Sequence, residues 1–319
     1  MSIINDILNR DEFLQAPPIL LDIGAAGAIH RKWKEIAKYS VCIAFDADER
    51  EMGYTKKENS GYKQLYVYNC IASEAKSGEE NFYLTESPQC SSRLLPAQKS
   101  LDNWSFAGLF RVKNMITLKT TDLAAVLKEL GIRKVDWFKT DSQGTDLRLF
   151  KSLGDDLVKR VLMAEFEPGI IDAYEGEDKL WSLMAYMDTQ PFWMNAIDIK
   201  GSQRIQTALA ASKLTSLDRR LARFLIKTSP GWGEVSFSHT FPGSAPYLDK
   251  RDHLLGWIFA MIERQYGFAL EIAAKGQERF HDDIFHELEN ASLKKVKAAY
   301  LTLPAALLKR AAARIGELW

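Results

Sequence analysis

Two apolar runs, far apart in the chain, each stop at an acidic residue and a glycine turn: Leu20-Leu21-Asp22-Ile23-Gly24-Ala25-Ala26-Gly27 and Trp137-Phe138-Lys139-Thr140-Asp141-Ser142-Gln143-Gly144. A strand buried on both faces reads as an uninterrupted apolar stretch, and in an α/β sheet its carboxyl end opens onto the ligand-binding rim. The pattern therefore predicts strands and helices alternating around a parallel sheet, with both tips on one edge. One tip is expected to hold a cofactor and the other the chemistry.

The rest of the chain supplies the elements such a sheet needs. Residues 19–23, 41–45 and 65–69 read as the first three strands, the second ending at Asp46, and residues 81–84 read as a short edge strand. Residues 135–140, 161–164, 192–199 and 234–239 complete the set. A helix is expected after Gly27, carrying Trp33, Ile36 and Ala37. Thr121-Asp122 should cap an amphipathic helix over Leu123, Val126, Leu127 and Leu130, closed by Gly131. Further helices are expected over 146–153 and 179–187, and a basic amphipathic one over 214–226 with Arg219, Arg220 and Arg223, inside a helical insertion of about 206–230. From Asp252 onward the periodicity is helical, with Pro304 breaking the last segment. The resulting partition is an N-terminal segment 1–17, one α/β domain over 18–245 and a helical region over 246–319.

Composition narrows the function classes. Lys+Arg and Asp+Glu number 42 each, so the global field offers no footprint for a phosphate backbone, and no nucleic-acid partner is expected. Cys42, Cys70 and Cys90 lack CxxC pairing and nearby histidines, which speaks against a disulfide framework or a zinc site. The start lacks a basic segment followed by an apolar run, and no stretch reaches the roughly eighteen apolar residues of a membrane span. A cytoplasmic protein without stable membrane insertion is the expectation. The closing segment 303–319 could lie on a membrane surface, but core docking or a homodimer contact is the commoner outcome for such a pattern.

The turn Gly24, Ala25, Ala26, Gly27 presents backbone N–H groups without bulky side chains, so a nucleotide-like ligand can approach the main chain there. Asp46, at the end of the second strand, is placed to accept hydrogen bonds from a ribose diol, which both NAD and S-adenosylmethionine carry. The G-x-G-x-x-G spacing of dinucleotide binders is not met. Asp22 suits a cationic ligand, such as one bearing an ammonium.

Several runs together carry a resemblance: Leu21-Asp22-Ile23-Gly24-Ala25, Ala44-Phe45-Asp46, Asn69-Cys70-Ile71-Ala72, Cys90-Ser91-Ser92, Ile116-Thr117-Leu118 and, above all, Asp136-Trp137-Phe138-Lys139-Thr140-Asp141-Ser142-Gln143-Gly144-Thr145-Asp146-Leu147. Over roughly residues 18–200 the chain resembles the FkbM-type methyltransferases. The resemblance implies a Rossmann-like class I methyltransferase sheet, mostly parallel, with seven strands, helices on both faces and a helical C-terminal extension. It implies S-adenosylmethionine as cofactor, its methionine part over Gly24, Ala25, Ala26 and Gly27, its ribose on Asp46 and its adenine near Asn69, Cys70 and Ile71. The implied reaction is O-methylation of a sugar, glycan or small metabolite. Gly27 and Asp46 depart from the commoner family pattern, which bears on loop geometry.

Alternate strand residues share a face, so Lys139 pairs in direction with Asp141, and Glu165 with Glu167. Methyl transfer to a hydroxyl requires in-line approach and removal of the hydroxyl proton by a carboxylate or a lysine of lowered pKa. Asp141 is expected to be the base or acceptor-orienting group, with Lys139 as its partner. Ser92 and Arg93 on the loop 87–93, together with Gln143, Glu165, Glu167 and His30, are candidates for acceptor contact. No ligand spacing demands a metal. An NAD-type oxidoreductase and a catalytically silent nucleotide-binding protein are the alternatives on such a sheet.

Overall fold

The computed structural model describes residues 3–24, 29–47, 61–75, 77–243, 245–298 and 300. Their contacts fall into two compact units, 8–240 and 3–7 with 241–300. In the first, the strands Ile19–Ile23 (β1), Val41–Phe45 (β2) and Gln64–Tyr68 (β3) precede a smaller sheet of Ile71–Ser73 (β4), Gly78–Thr85 (β5) and Val112–Asp122 (β6). Then follow Trp137–Thr140 (β7), Met163–Phe166 (β8), Phe192–Ser202 (β9) and Ser229–His239 (β10). The main sheet has seven strands in the order β3-β2-β1-β7-β8-β10-β9. It is parallel from β3 to β8, and β10 runs antiparallel to both its neighbours. The chain winds outward from β1 to β3 and then returns to lay β7 on the other side of β1, so the strand order reverses between β1 and β7. In an open α/β sheet that reversal leaves a crevice at the carboxyl ends of the two strands, and it is there that Gly24 and Asp141 lie.

Period-two alternation distributes the core over both faces. On one, Leu21, Ile23, Phe45, Phe138 and Phe166 pack with Leu127, Phe150 and Leu183 of the helices Leu123–Glu129, Asp146–Ser152 and Leu180–Met187. The first of these helices starts as its sequence indicates, with the Asp122 side chain accepting from Ala124 N at 2.9 Å. On the other face Leu20, Cys42 and Trp137 are fully buried, and Trp33 meets Trp137 edge to face with centroids 5.9 Å apart.

Two expectations need correction. The helix after Gly27 is instead a pair of 3₁₀ turns, Arg31–Glu35 and Ala37–Tyr39. Trp33 and Ile36, both fully buried, are three residues apart, which suits a three-residue turn better than a long α-helix. The strand predicted over 81–84 does not edge the main sheet. It belongs to β5, which pairs antiparallel with β6 through Phe82 and Ile116 in the separate order β4-β6-β5. β6 is rich in lysine and threonine and mostly exposed, so it carries no apolar alternation to announce it.

The second unit is helical over Lys250–Ile262, Tyr266–Phe280 and Ile284–Ala298. An Asp249–Asp252 capping box starts the first helix, and Trp257 Nε1, fully buried, donates to Ser292 Oγ at 2.9 Å.

Candidate active site

The site grows from the register of β1, β7 and β8. Asp22 stands beside Lys139, and Lys139 beside Glu165, so one face of the sheet carries a polar row just short of the strand tips. Asp22 is completely buried; its Oδ1 lies 3.0 Å from Lys139 Nζ and its Oδ2 accepts from His30 N at 3.1 Å. Burial alone would lower the Lys139 pKa, but the charges of Asp22 and Asp141 outweigh it and hold the ammonium above its ordinary value. Lys139 is therefore a fixed cation and not a base. Glu165 accepts from Trp137 Nε1 at 2.8 Å and from Lys32 Nζ at 3.2 Å, with His30 Nε2 also 3.2 Å away. Burial works to raise its pKa, and the approach of His30 and Lys32 overcomes this and brings it down to about 2.

One pleat further on, the same alternation places Asp46, Gly24, Asp141 and Glu167 at the rim. Gly24 has φ +79°, and a Cβ there would sit 2.1 Å from the Asp141 carbonyl oxygen. Only glycine lets the β1 and β7 tips come so close. Past Asp141 the backbone turns through two positive-φ residues, Gln143 (φ 54°) and Gly144 (φ 109°). A non-glycine residue held in this region marks a place where the surroundings impose the conformation. Gln143 Nε2 donates to Asp141 Oδ1 at 2.6 Å, while the Tyr174 hydroxyl lies 2.8 Å from Gln143 Oε1 and Ser92 Oγ donates to the Gln143 carbonyl at 2.8 Å. Beneath the turn, fully buried Asp146 accepts from Thr140 Oγ1, Ser142 N and Glu167 N, tying the β7 and β8 ends together. Burial raises its pKa to about 6.

Glu167 is hydrogen-bonded to Asp141, and burial, the Asp141 charge and that bond together push its pKa up to about 9. The shift favours the protonated form of Glu167 beside Asp141. A carboxyl whose folded value lies above its unfolded value of 4.5 loses stability as pH rises between the two, because the unfolded chain releases the proton first. Glu167→Gln should remove this loss. Urea unfolding from pH 5 to pH 8 is expected to show the variant gaining on the parent by on the order of 1–3 kcal/mol, and parallel curves would contradict the raised Glu167 pKa.

Two cavities meet at this turn. The first, about 750 Å³ of open space, lies over β1 and β2 and is lined by Gly24, Asp46, Asp141 and Gln143 with an apolar wall of Phe45, Cys70, Ile71, Ala72, Phe82 and Pro88. The second, about 1150 Å³, is walled by Phe106, Phe110, Tyr174 and Trp232, with Glu167 and Glu177 facing it. Asp141 and Gln143 line both. A slot with an apolar wall and an aromatic chamber thus share one carboxylate.

The model of the Methyltransferase FkbM domain matches residues 25–189, just over half of the 319 residues, and spans β2 through β8 with both cavities' shared turn. This chain belongs to the FkbM methyltransferase family. No curated protein matches it. In this FkbM methyltransferase the rim brings together Gly24, Asp46, Cys70, Ile71, Asp141, Gln143 and Glu167 of the residues singled out from sequence. Ala25, Ala26 and Gly27 lie outside the described residues. Asp22 lines neither cavity, because its carboxylate is spent on Lys139 and His30 N; Lys139 takes Asp22 as its ion-pair partner and feels Asp141 through its charge. Asn69 donates to the Asp46 carbonyl at 3.3 Å and steadies the β2 tip without lining the slot.

The loop residues divide differently from expectation. Ser92 is buried and bonded to the Gln143 carbonyl, and it lines neither cavity. Arg93 lines the slot, but Glu74 grips it through two bonds of 2.9 Å and Glu80 Oε2 stands 3.2 Å from its Nε. His30 and Glu165 face a third, more polar cavity with Lys32, Asp198 and Glu234, to which Asp141 and Glu167 also contribute. Sequence reasoning missed Tyr174, Asp146 and the aromatic wall. Of these only Asp146 left a signal, five residues beyond Asp141 at the start of a helix. The three cysteines are free and buried, with burial raising each thiol's pKa. Among the described residues no helix is long and apolar enough to cross a membrane, and no cluster of metal-ligating residues occurs.

Proposed function

We propose that this FkbM methyltransferase uses S-adenosylmethionine to methylate a hydroxyl of a sugar, glycan or similar hydroxylated metabolite seated in the aromatic chamber. The observation that carries the reading is the sharing of Asp141 and Gln143 by the two cavities. The first cavity fits the cofactor chemically: Asp46 supplies a carboxylate for the ribose hydroxyls, Phe45, Ile71 and Phe82 an apolar slot for the adenine, and Gly24 a bare backbone beside the methionine end. When bound, this cofactor supplies an electrophilic methyl group. Aromatic walls suit the C–H face of a sugar ring, and Glu167 lines the chamber where it could meet a hydroxyl. Asp141 Oδ atoms accept the proton of the reacting hydroxyl, Gln143 and Glu167 hold that carboxylate in place, and Lys139 keeps the rim's charge in balance.

Calorimetric titration with S-adenosylmethionine, S-adenosylhomocysteine and NAD tests the cofactor. Binding of the first two and not the third is expected. Asp46→Ala should weaken S-adenosylhomocysteine by roughly 10- to 100-fold, the worth of a charged hydrogen bond or two. Selective NAD binding would favour an oxidoreductase, and Asp46→Ala without effect would remove the ribose contact.

A further inference from the structure

The chain as a whole balances 42 basic against 42 acidic residues, but the excursion between β9 and β10 does not. From Gln206 to Ser229 it carries Lys213, Arg219, Arg220, Arg223 and Lys227 against Asp218 alone, five minus one, a local charge of +4. The excursion folds as two helices, Thr207–Lys213 and Ser216–Leu225, the second fixed at its start by a Thr215–Asp218 capping box. Leu217, Leu221 and Leu225 recur every four residues and so form one strip along that helix. In a surface helix such a strip normally turns to the core. Here it turns outward: Leu217 is 61%, Leu221 46% and Leu225 78% exposed, with Ile226 at 54% beside them. The inner side of the helix presents Ala222 and Arg219 to a cavity beneath the pair.

The cations are equally unspent. Among the described residues Lys213, Arg219, Arg220 and Lys227 enter no ion pair. An exposed leucine strip flanked by unpaired cations on a helix of low overall hydrophobicity is the signature of an element that lies in a membrane interface. A neutral apolar partner would bury the leucines and leave the cations unmatched. An anionic bilayer satisfies both, taking the leucines at the headgroup–acyl boundary and the cations at its phosphates. We propose that this helix pair docks the protein on an anionic membrane surface.

A groove lined by Phe106, Leu109, Gly201 and Ser202 joins the aromatic chamber to the cavity under the helices through Ser105 and Gln203. The inference rests on exposure and charge alone, and it stands whichever acceptor the chamber takes.

Co-sedimentation of the full chain with vesicles tests it, one set of phosphatidylcholine alone and one with about 30% phosphatidylglycerol. Binding at least about tenfold tighter to the anionic set, and weakened by salt, is expected. Each basic residue near such a surface is worth about fivefold in partitioning, so Lys213→Glu with Arg220→Glu, exposed positions that do not line the cavity beneath the pair, should lose about 25-fold or more. Leu221→Asp should lose at least about tenfold. Both variants change exposed positions, so melting temperatures within about 2 °C of the parent are expected, which separates lost docking from lost folding. Equal binding to neutral and anionic vesicles, or variants that bind as the parent does, would overturn the proposal. A dimer in sedimentation velocity that Leu221→Asp dissolves would assign the face to a second copy instead.

Discussion

Asp141→Asn is expected to lower methyl transfer by about 10²–10⁴-fold while leaving the fold and the cofactor cleft in place. Asparagine keeps the size and shape of the side chain but cannot take a proton, and Asp141 is the carboxylate on which the two cavities converge. Its neighbours are arranged around an acceptor of hydrogen bonds. Gln143 Nε2 donates to it at 2.6 Å, Tyr174 fixes that glutamine from behind at 2.8 Å, and protonated Glu167 donates from β8. Lys139, one pleat back, holds a permanent charge against Asp22 and cannot take over as base. The measurement is transfer of a labelled methyl group to the best acceptor in a panel of glycosides, with S-adenosylhomocysteine affinity and thermal melting as controls. Under the proposed mechanism affinity stays within about tenfold of the parent and turnover collapses. Turnover near the parental value in a folded variant would remove Asp141 from the proton transfer.

Gly24→Ala is expected to cost on the order of 3 kcal/mol or more of stability, because two independent penalties fall on one methyl group. The first is conformational: φ at Gly24 is +79°, a region that costs an L-residue about 1–2 kcal/mol. The second is steric, since the added Cβ would stand 2.1 Å from the Asp141 carbonyl oxygen, a backbone atom that cannot swing aside. Asp141 N is itself bound to the Ile23 carbonyl at 2.9 Å and Gly24 N to the Phe45 carbonyl at 2.9 Å, so relief of the clash strains ladders on both sides of β1. Urea unfolding measures the loss. The variant should also lose cofactor affinity, since the tips it forces apart form the floor of the slot. A stability within 1 kcal/mol of the parent would show that the close approach of β1 and β7 is not a tight one.

Much of the architecture is legible from local chemistry. The runs at 19–23 and 41–45 are strands because fully apolar segments between turn signals can be satisfied only inside a sheet, and both strands begin and end where those signals place them. Asp122 announces its helix because a side-chain acceptor must meet the free N–H groups of the first turn. Gly24, Asp46 and Asp141 are readable as rim residues for a related reason: each ends an apolar strand, and strand ends at one edge of a parallel sheet share a rim.

What the sequence by itself determined is therefore everything that follows from neighbours along the chain: strand tips, caps, the absence of a dinucleotide fingerprint and the family to which 25–189 belongs. The tertiary structure alone decided which of those groups meet. Asp22 takes Lys139 because register sets them side by side across β1 and β7, and Asp141 meets Glu167 because β8 is the next strand. Arg93 is held by Glu74 and Glu80, residues next to β4 and on β5 of a small sheet whose strand β6 has too polar a pattern to be foreseen. The leucines of Ser216–Leu225 read as a core stripe until the fold turns them to solvent. The physical reason is common to all four: periodicity fixes which residues share a face, but the partner that face receives depends on strand order and register, which are set by the burial of the whole chain at once.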